Sequence, residues 1–323
     1  MRRPFLSVLL PVGLLVSSCQ VPPPPPPRPI TPAAAAPAMA GLPAVAPSPS
    51  RLPLAVRFRG EDKFRALCAR AATENWAALP LGERTGRVAM GLVGTPYANW
   101  TLEIDDRIEA PSANFNALDC WTAYEVPLAF ARMIASKPAP WQPDDLLGFI
   151  ELERYRSGRC NGSYLSRMHH LEEVFYDNQR RGLAVNITPR LPGAQRLRRT
   201  ITDMQSGWRS YRYLRANPSL VGGIATMERR VSRLPVYHVP RSRARAAEAY
   251  LRTGDIIAIT STWQSGYTSH VGLAIRQPDG RVRFLHATSE TSKGRRVILD
   301  RRLSDYLNEK SSRAGFIACR PVR

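Results

Sequence analysis

The sequence predicts an α+β domain in which helices come first and an antiparallel sheet follows. Three observations carry this. Apolar residues recur at helical spacing in several stretches between residues 60 and 181. From Gly254 onward the pattern turns to short apolar runs and alternation, with an Asp-Gly turn between two of them. Strands gathered at one end of the chain, instead of alternating with helices, argue against a parallel α/β sheet.

The N-terminus stands apart from that domain. Arg2 and Arg3 precede an apolar run from Phe5 to Val16, and Ser17-Ser18-Cys19 follows. A basic start, a short apolar core and small residues read as a secretory signal peptide over residues 1–18. The run is too short for a comfortable membrane-spanning helix. Val16-Ser17-Ser18-Cys19 resembles a bacterial lipobox, with Val16 where Leu is usual. That resemblance implies that Cys19 is lipidated and tethers the chain to a membrane of the bacterial envelope. Gln20 stands after Cys19 where Asp would retain the protein at the inner membrane, so in a Gram-negative cell the periplasmic side of the outer membrane is expected. Residues 19–52 read as a Pro/Ala-rich tether that opens with six prolines and holds too few core formers to pack. Residues 53–323 are globular in composition and long enough for one domain with a full core.

The net charge of the 323-residue chain is +20, and Arg accounts for all but four of its 46 basic residues. Such a balance suits nucleic acid in general. The export signal, and the lack of an aromatic-rich basic motif, turn the reading to anionic wall polymers or lipid headgroups. A bias toward Arg with ordinary solubility accounts for it equally well.

Within the domain, residues 60–78 place Phe64, Leu67, Cys68, Ala71 and Trp76 at helical spacing. A second helix is expected from Cys120, with a kink or early break at Pro127, which lacks a helical N–H. Residues 144–156 read as a helix and residues 163–181 as a mixed one, whereas 186–252 is loop-rich. Strands are expected at 254–260, 270–275, 282–287, 295–300 and 314–320. The Asp279-Gly280 turn would join the second and third as a hairpin.

Five cysteines occur, at 19, 68, 120, 160 and 319. An oxidising compartment permits one disulfide among Cys68, Cys160 and Cys319. No CxxC or other metal-spaced cluster appears, and neither a metal nor a cofactor is expected.

Cys120 opens an apolar helical stretch, where the positive end of the helix dipole would lower the thiol pKa and favour the nucleophilic thiolate. His270 and His286 each sit in an apolar strand pattern. They lie 16 positions apart, so ideal alternation puts both on one sheet face unless a bulge intervenes. An imidazole beside a thiol can take its proton, and a second polar group can fix the tautomer of the first. Singly, a cysteine at a helix start or a histidine in a strand is usually a packed residue. Together they form a candidate nucleophile, base and orienting group.

The ordered series Gly94-Thr95-Pro96-Tyr97, Asp119-Cys120, Gly254-Asp255, Ser269-His270-Val271-Gly272 and His286-Ala287-Thr288 resembles the NlpC/P60 cysteine peptidases. Closer still is the resemblance to the DUF1460 family, described as N-acetylmuramoyl-L-alanine amidase-like. It includes Thr101-Leu102-Glu103, Thr122, Glu125, Arg154-Tyr155, Ser166-Arg167, His169 and Asn178, and it spans about residues 90–307. The resemblance implies a papain-like fold, with N-terminal helices packed on the sheet, and amide hydrolysis in peptidoglycan or a muropeptide. Cys120 corresponds to the nucleophile, His270 to the general base and His286 to the third polar member. Tyr97, Asp119 and Ser269 correspond to residues that shape the cleft. Arg167 and His169 fall on the substrate side, where an Arg could pair with a substrate carboxylate. The Cys120 backbone N–H is the expected oxyanion donor. His170 departs from the family pattern, which has Tyr there, and Glu173-Val174 replaces its Asp-Trp pair.

The expected activity is that of an N-acetylmuramoyl-L-alanine amidase. A stem-peptide endopeptidase uses the same chemistry on a neighbouring bond. A wall-binding lipoprotein without catalysis is the rival from another class, which the intact Cys120, His270 and His286 argue against. Nucleic acid is not an expected partner.

Overall fold

Cap chemistry and apolar spacing set the helical half of the chain. Gln142 and Asp145 cap each other's backbone N–H at the start of the helix Pro143–Arg154, with Pro143 in the first turn. The helix Glu61–Thr73 buries the predicted stripe Phe64, Leu67, Cys68 and Ala71. A computed structural model describes residues 42–322. The signal peptide, Cys19 and the tether as far as residue 41 lie outside the described residues.

The elements follow in chain order. The first part of the chain holds α1 (Leu54–Arg57), β1 (Phe58–Arg59), α2 (Glu61–Thr73), α3 (Leu81–Gly91) and β2 (Ala113–Asn114). Next come α4 (Thr122–Ser136), α5 (Pro143–Arg154), α6 (Leu171–Arg180), β3 (Ala184–Asn186) and β4 (Gln195–Arg196). The middle region supplies α7 (Asp203–Ser206), α8 (Arg212–Ala216), α9 (Val221–Val231), β5 (Tyr237–Pro240) and α10 (Ala244–Ala247). The chain continues with β6 (Ile256–Ser261), β7 (Thr268–Arg276), β8 (Val282–Ala287), β9 (Val297–Arg302), α11 (Leu303–Asn308) and β10 (Arg313–Pro321).

Eight strands form one sheet in the order β4-β5-β10-β6-β7-β8-β9, with β3 also on β10. All of its pairings are antiparallel. Each face buries a core. Val271, Leu273 and Ile275 of β7 face the main core shared with α2 to α6. Ala274 and Phe284 face a second core closed by Ala244 and Ala247 of α10 and Leu303 and Leu307 of α11. This is the α+β arrangement the sequence predicts. Among the described residues no helix is long and apolar enough to cross a membrane.

Residues 42–50, the described end of the Pro/Ala-rich stretch, have no regular secondary structure. Leu42 and Val45 nevertheless pack against the main core, and Ser48 bonds to Glu151. Gly148 admits this segment, since a Cβ there would lie 1.6 Å from the Val45 carbonyl oxygen.

Several expectations are corrected. Pro127 neither breaks nor shortens α4, which runs on to Ser136. The proline leaves out only its own bond to the Ala123 carbonyl, and burial from Thr122 to Ile134 holds the rest in place. The expected mixed helix at 163–181 is a short 3-10 turn, Tyr164–Ser166, then extended backbone at Arg167 and His170, then α6. Cys68, Cys160 and Cys319 are all free. The first lies in α2, the second on a loop with its thiol on the Glu109 carbonyl, and the third deep in β10, so each is held in its own surroundings.

Candidate active site

The turn ahead of α4 is built by Asp119 and Thr122. The Asp119 carboxylate accepts the Thr122 N–H at 2.8 Å, and the Thr122 hydroxyl oxygen accepts the Asp119 N–H at 3.0 Å. The Ala123 N–H reaches the Asp119 carbonyl at 3.0 Å, so Asp119 serves as the effective cap and Cys120 opens the first turn. The Asp119 carboxylate also accepts the Thr101 N–H. Expected on the substrate side, it lines the cleft with its oxygens already engaged in holding the Cys120 turn.

Gly94–Tyr97 straps this turn to the sheet. Gly94 and Val297 are joined by the Gly94 N–H at 2.9 Å, and the Val297 N–H returns to Thr95. Tyr97 bonds to the Arg295 carbonyl, and Leu118 bonds to that of Pro96. The segment thereby sets Tyr97 on the wall beside Cys120, with the Arg295 guanidinium over its ring.

The backbone N–H groups of Val271, Cys120 and Trp121 lie near the Cys120 thiol and favour its thiolate. The first follows His270 directly, so the thiol sits against the start of β7. Burial, joined by the Asp119 carboxylate, outweighs these donors and pushes the thiol up to about 12. The expected lowering by the helix dipole is therefore overturned. Cys120 is half-buried at the cleft, and the water it has lost penalises the thiolate more than the N–H groups favour it.

His270 is aimed by an irregularity in β7. Ile259 pairs with His270 while Thr260 pairs with Thr268, so Ser269 is an extra, exposed residue at the cleft rim. The bulge lies before His270 and leaves the parity of the two histidines intact. His270 Nε2 lies 2.8 Å from His286 Nδ1. Gly272 lets the strands close at this point, since a Cβ there would meet the Leu285 carbonyl at 2.3 Å and the His286 Cβ at 2.9 Å. Phe284 and Tyr306 pack on both imidazoles.

Sequence reasoning missed the next members. His286 Nε2 lies 3.2 Å from Asp300 Oδ2, and Lys293 Nζ lies 2.7 Å from the same oxygen. Burial pushes the Asp300 carboxyl up, but hydrogen bonds from His286, Lys293 and the Arg301 N–H outweigh it and hold the acid well below the carboxylate range. Burial holds both imidazoles down, that of His270 well below the usual histidine range. The proton order follows. Ionised Asp300 accepts Nε2–H of His286, neutral His286 accepts Nε2–H of His270 through Nδ1, and His270 is left with a bare Nδ1. The signal in the sequence was Asp300 closing the predicted strand after that of His286.

The cleft in front of Cys120 has a volume of about 400 Å³. Tyr97, Trp100, Tyr211 and Ser269 line it, together with Arg167, His169 and His170. Trp100 is half exposed and meets Tyr211 edge to face at 5.4 Å. His169 donates through Nε2 to the Tyr164 carbonyl at 2.9 Å, and burial keeps it neutral. Arg167 is 4% exposed and stands 3.3 Å from Glu109 and 3.9 Å from Glu103. It reaches the cleft, but two carboxylates already offset its charge. Both acids lie far upstream in the sequence, where a search of neighbouring helical positions does not reach. Other residues of the familiar pattern form a buried scaffold behind the cleft: Arg154 pairs with Glu125, and Tyr155 donates to Glu109.

A family described as AmiA-like, N-acetylmuramoyl-L-alanine amidase-like, matches residues 87–316. An N-acetylmuramoyl-L-alanine amidase from Bacteroides uniformis is 25% identical, with a TM-score of 0.66 over 75% of this chain and 99% of that one. A protein described as a putative xylanase from Bacteroides fragilis is 30% identical, with a TM-score of 0.61 over 72% of this chain and 98% of that one. A Legionella pneumophila protein of the DUF1460 family shares the fold at 18% identity, with a TM-score of 0.60 over 81% of this chain and 95% of that one. No curated protein matches the chain.

Proposed function

The chain belongs to the N-acetylmuramoyl-L-alanine amidase-like family, and on that premise we propose that it hydrolyses an amide bond of peptidoglycan or a muropeptide with Cys120 as the nucleophile. The observation that carries this reading is the line of contacts from Asp300 to His286 at 3.2 Å and from His286 to His270 at 2.8 Å, from which the proton order assigned above leaves a lone pair on His270 Nδ1. His270 takes the thiol proton as Cys120 attacks the carbonyl carbon. The resting pair is neutral, so proton transfer accompanies attack. In this reading the backbone N–H groups of Cys120 and Trp121 stabilise the oxyanion. Protonated His270 then gives its proton to the leaving amine, and a thioester remains. Water, deprotonated by His270, hydrolyses the thioester and restores the thiol. His286 and Asp300 hold the tautomer of His270 and offset its charge.

The preferred bond, by family, is that between muramic acid and L-Ala. Trp100 and Tyr211 give the cleft an aromatic platform suited to a sugar ring. The papain-like NlpC/P60 character of the fold belongs to the same proposal, as do lipidation of Cys19 and anchoring of the domain to the envelope. The Bacteroides fragilis relative's description favours a glycosidase, which needs two carboxylates flanking the scissile bond. Asp119 is engaged with the Cys120 turn, and Glu103 accepts Tyr164 O–H and the Tyr213 N–H, so the cleft supports amide chemistry better.

The test is a digest. The purified chain is incubated under reducing conditions with peptidoglycan and soluble muropeptides, beside a Cys120→Ala control, and products are followed by mass spectrometry. Free stem peptides beginning with L-Ala, absent from the control, are expected. Truncated stems would move the cut to the stem peptide, xylo-oligosaccharides from added xylan would establish the glycosidase, and no product from folded protein would favour wall binding without catalysis.

A further inference from the structure

Behind one side of the cleft, α6, α7 and α9 bring together a second group of chemistry-bearing side chains. His170 stands at the start of α6, Asp203 opens α7, and Glu228 lies within α9. One donor atom from each falls within 4.8 Å of the others. His170 Nε2 is 3.9 Å from Glu228 Oε1. His170 is 7% exposed and Glu228 is fully buried.

Two of these donors have no partner. His170 Nε2 and Asp203 Oδ1 are buried without a hydrogen bond, a costly state for polar atoms in a protein interior. Glu228 keeps one backbone N–H on each oxygen, from Met204 at 2.8 Å and Gln205 at 3.2 Å. Those bonds orient the carboxylate and leave a lone pair on each oxygen for a ligand. The Asp203 and Glu228 carboxylates converge beside the His170 imidazole, and a positive charge there would offset their repulsion.

We propose that His170, Asp203 and Glu228 form a binding site for a divalent transition-metal ion of the zinc class. One imidazole and two carboxylates are a hard-to-borderline donor set suited to zinc. An ion about 2.0–2.1 Å from each donor draws the three side chains slightly together and ties α6, α7 and α9 into one wall. His170 and Asp203 both line the cleft, so the fourth coordination position opens toward substrate. The site is separate from the Cys120 and His270 pair and does not depend on which bond is cut.

The test begins with the purified chain stripped by a chelator and titrated with zinc chloride in a calorimeter. Zinc also binds thiol–imidazole pairs, so Cys120→Ala is titrated in parallel. One equivalent per chain is expected in both, with a rise in melting temperature. His170→Tyr, which restores the residue usual in the family, and Asp203→Asn should each weaken binding at least tenfold. X-ray absorption of the zinc-loaded chain should show nitrogen and oxygen donors at about 2.0–2.1 Å and no sulfur at about 2.3 Å. The proposal is overturned by folded, stripped protein that takes up no stoichiometric zinc. It is equally overturned by a sulfur donor lost in Cys120→Ala, or by binding that His170→Tyr and Asp203→Asn leave unchanged. If a variant fails to fold, the wild-type titration and absorption spectrum decide.

Discussion

Nε2 of His270 lies 2.8 Å from Nδ1 of His286, and the second nitrogen of His286 faces Asp300. This contact determines which nitrogen of His270 carries a proton. The base of the proposed reaction is therefore set two residues away, by a carboxylate that never meets the substrate.

Asp300→Asn should lower kcat by about 10²–10⁴ with little change in KM, because an amide no longer enforces the tautomer order. The same variant tests a stability term. The folded-state pKa of Asp300 is depressed, so its contribution is present above the unfolded aspartate value of about 3.9 and is lost as pH falls through the lower folded value. The wild type should lose more stability than Asp300→Asn across that acid window. Equal losses in urea titrations would contradict the assignment.

Cys120 should react slowly with iodoacetamide at pH 7, and the rate should climb as pH rises toward the thiol value of about 12. An alkylation rate that plateaus below pH 7 would mean a resting thiolate–imidazolium pair instead.

The acid limb of kcat/KM should fall below the ordinary histidine value of about 6.5, because burial and the neighbouring His286 hold His270 in its neutral form. A limb at or above that value, read from a pH–rate profile, would count against His270 as a buried neutral base.

Gly272→Ala should cost about 1–3 kcal/mol of stability through overpacking and reduce kcat, since the added methyl meets the Leu285 carbonyl and the His286 Cβ. Denaturant unfolding and steady-state kinetics read the two effects separately. A variant with unchanged kcat would show that His286 tolerates displacement.

Glu125→Ala should destabilise the domain by about 3–5 kcal/mol, because it leaves the Arg154 charge buried and unpaired. Chemical denaturation measures this. A change below about 1 kcal/mol would place the pair among weakly contributing ion pairs.

Much of this was legible in the chain. The change of period near Gly254 marks the passage from helices to sheet, and the even spacing of His270 and His286 puts both on one face. The bulge at Ser269 could have undone that parity, but it falls outside the interval between them. Asp300 was harder to see. Its strand was visible, but the pairing of β8 with β9 shifts between Arg283 and Leu285, and no spacing rule anticipates such a shift. The partners of Arg167, which lines the cleft as expected, were hidden for a related reason. Its acids, Glu103 and Glu109, arrive from a loop with no periodicity of its own. The region 186–252, opaque as sequence, supplies Asp203, Tyr211 and Glu228; α7 and α8, of four and five residues, leave too little pattern to read, and only α9 is long enough to show a period.

The position of β10 bears on when the molecule can act. It is the most C-terminal of the described strands, yet it lies inside the sheet between β5 and β6. Its Ala318 N–H and carbonyl both pair with the Thr188 hydroxyl, 130 positions upstream. Closing so long a stretch of chain costs entropy before the contact rewards it. A chain without the β10 residues still holds Cys120, His270 and His286 but lacks the strand that joins β6 to β5. The sheet that carries the proposed base is therefore complete only when β10 is seated between β5 and β6.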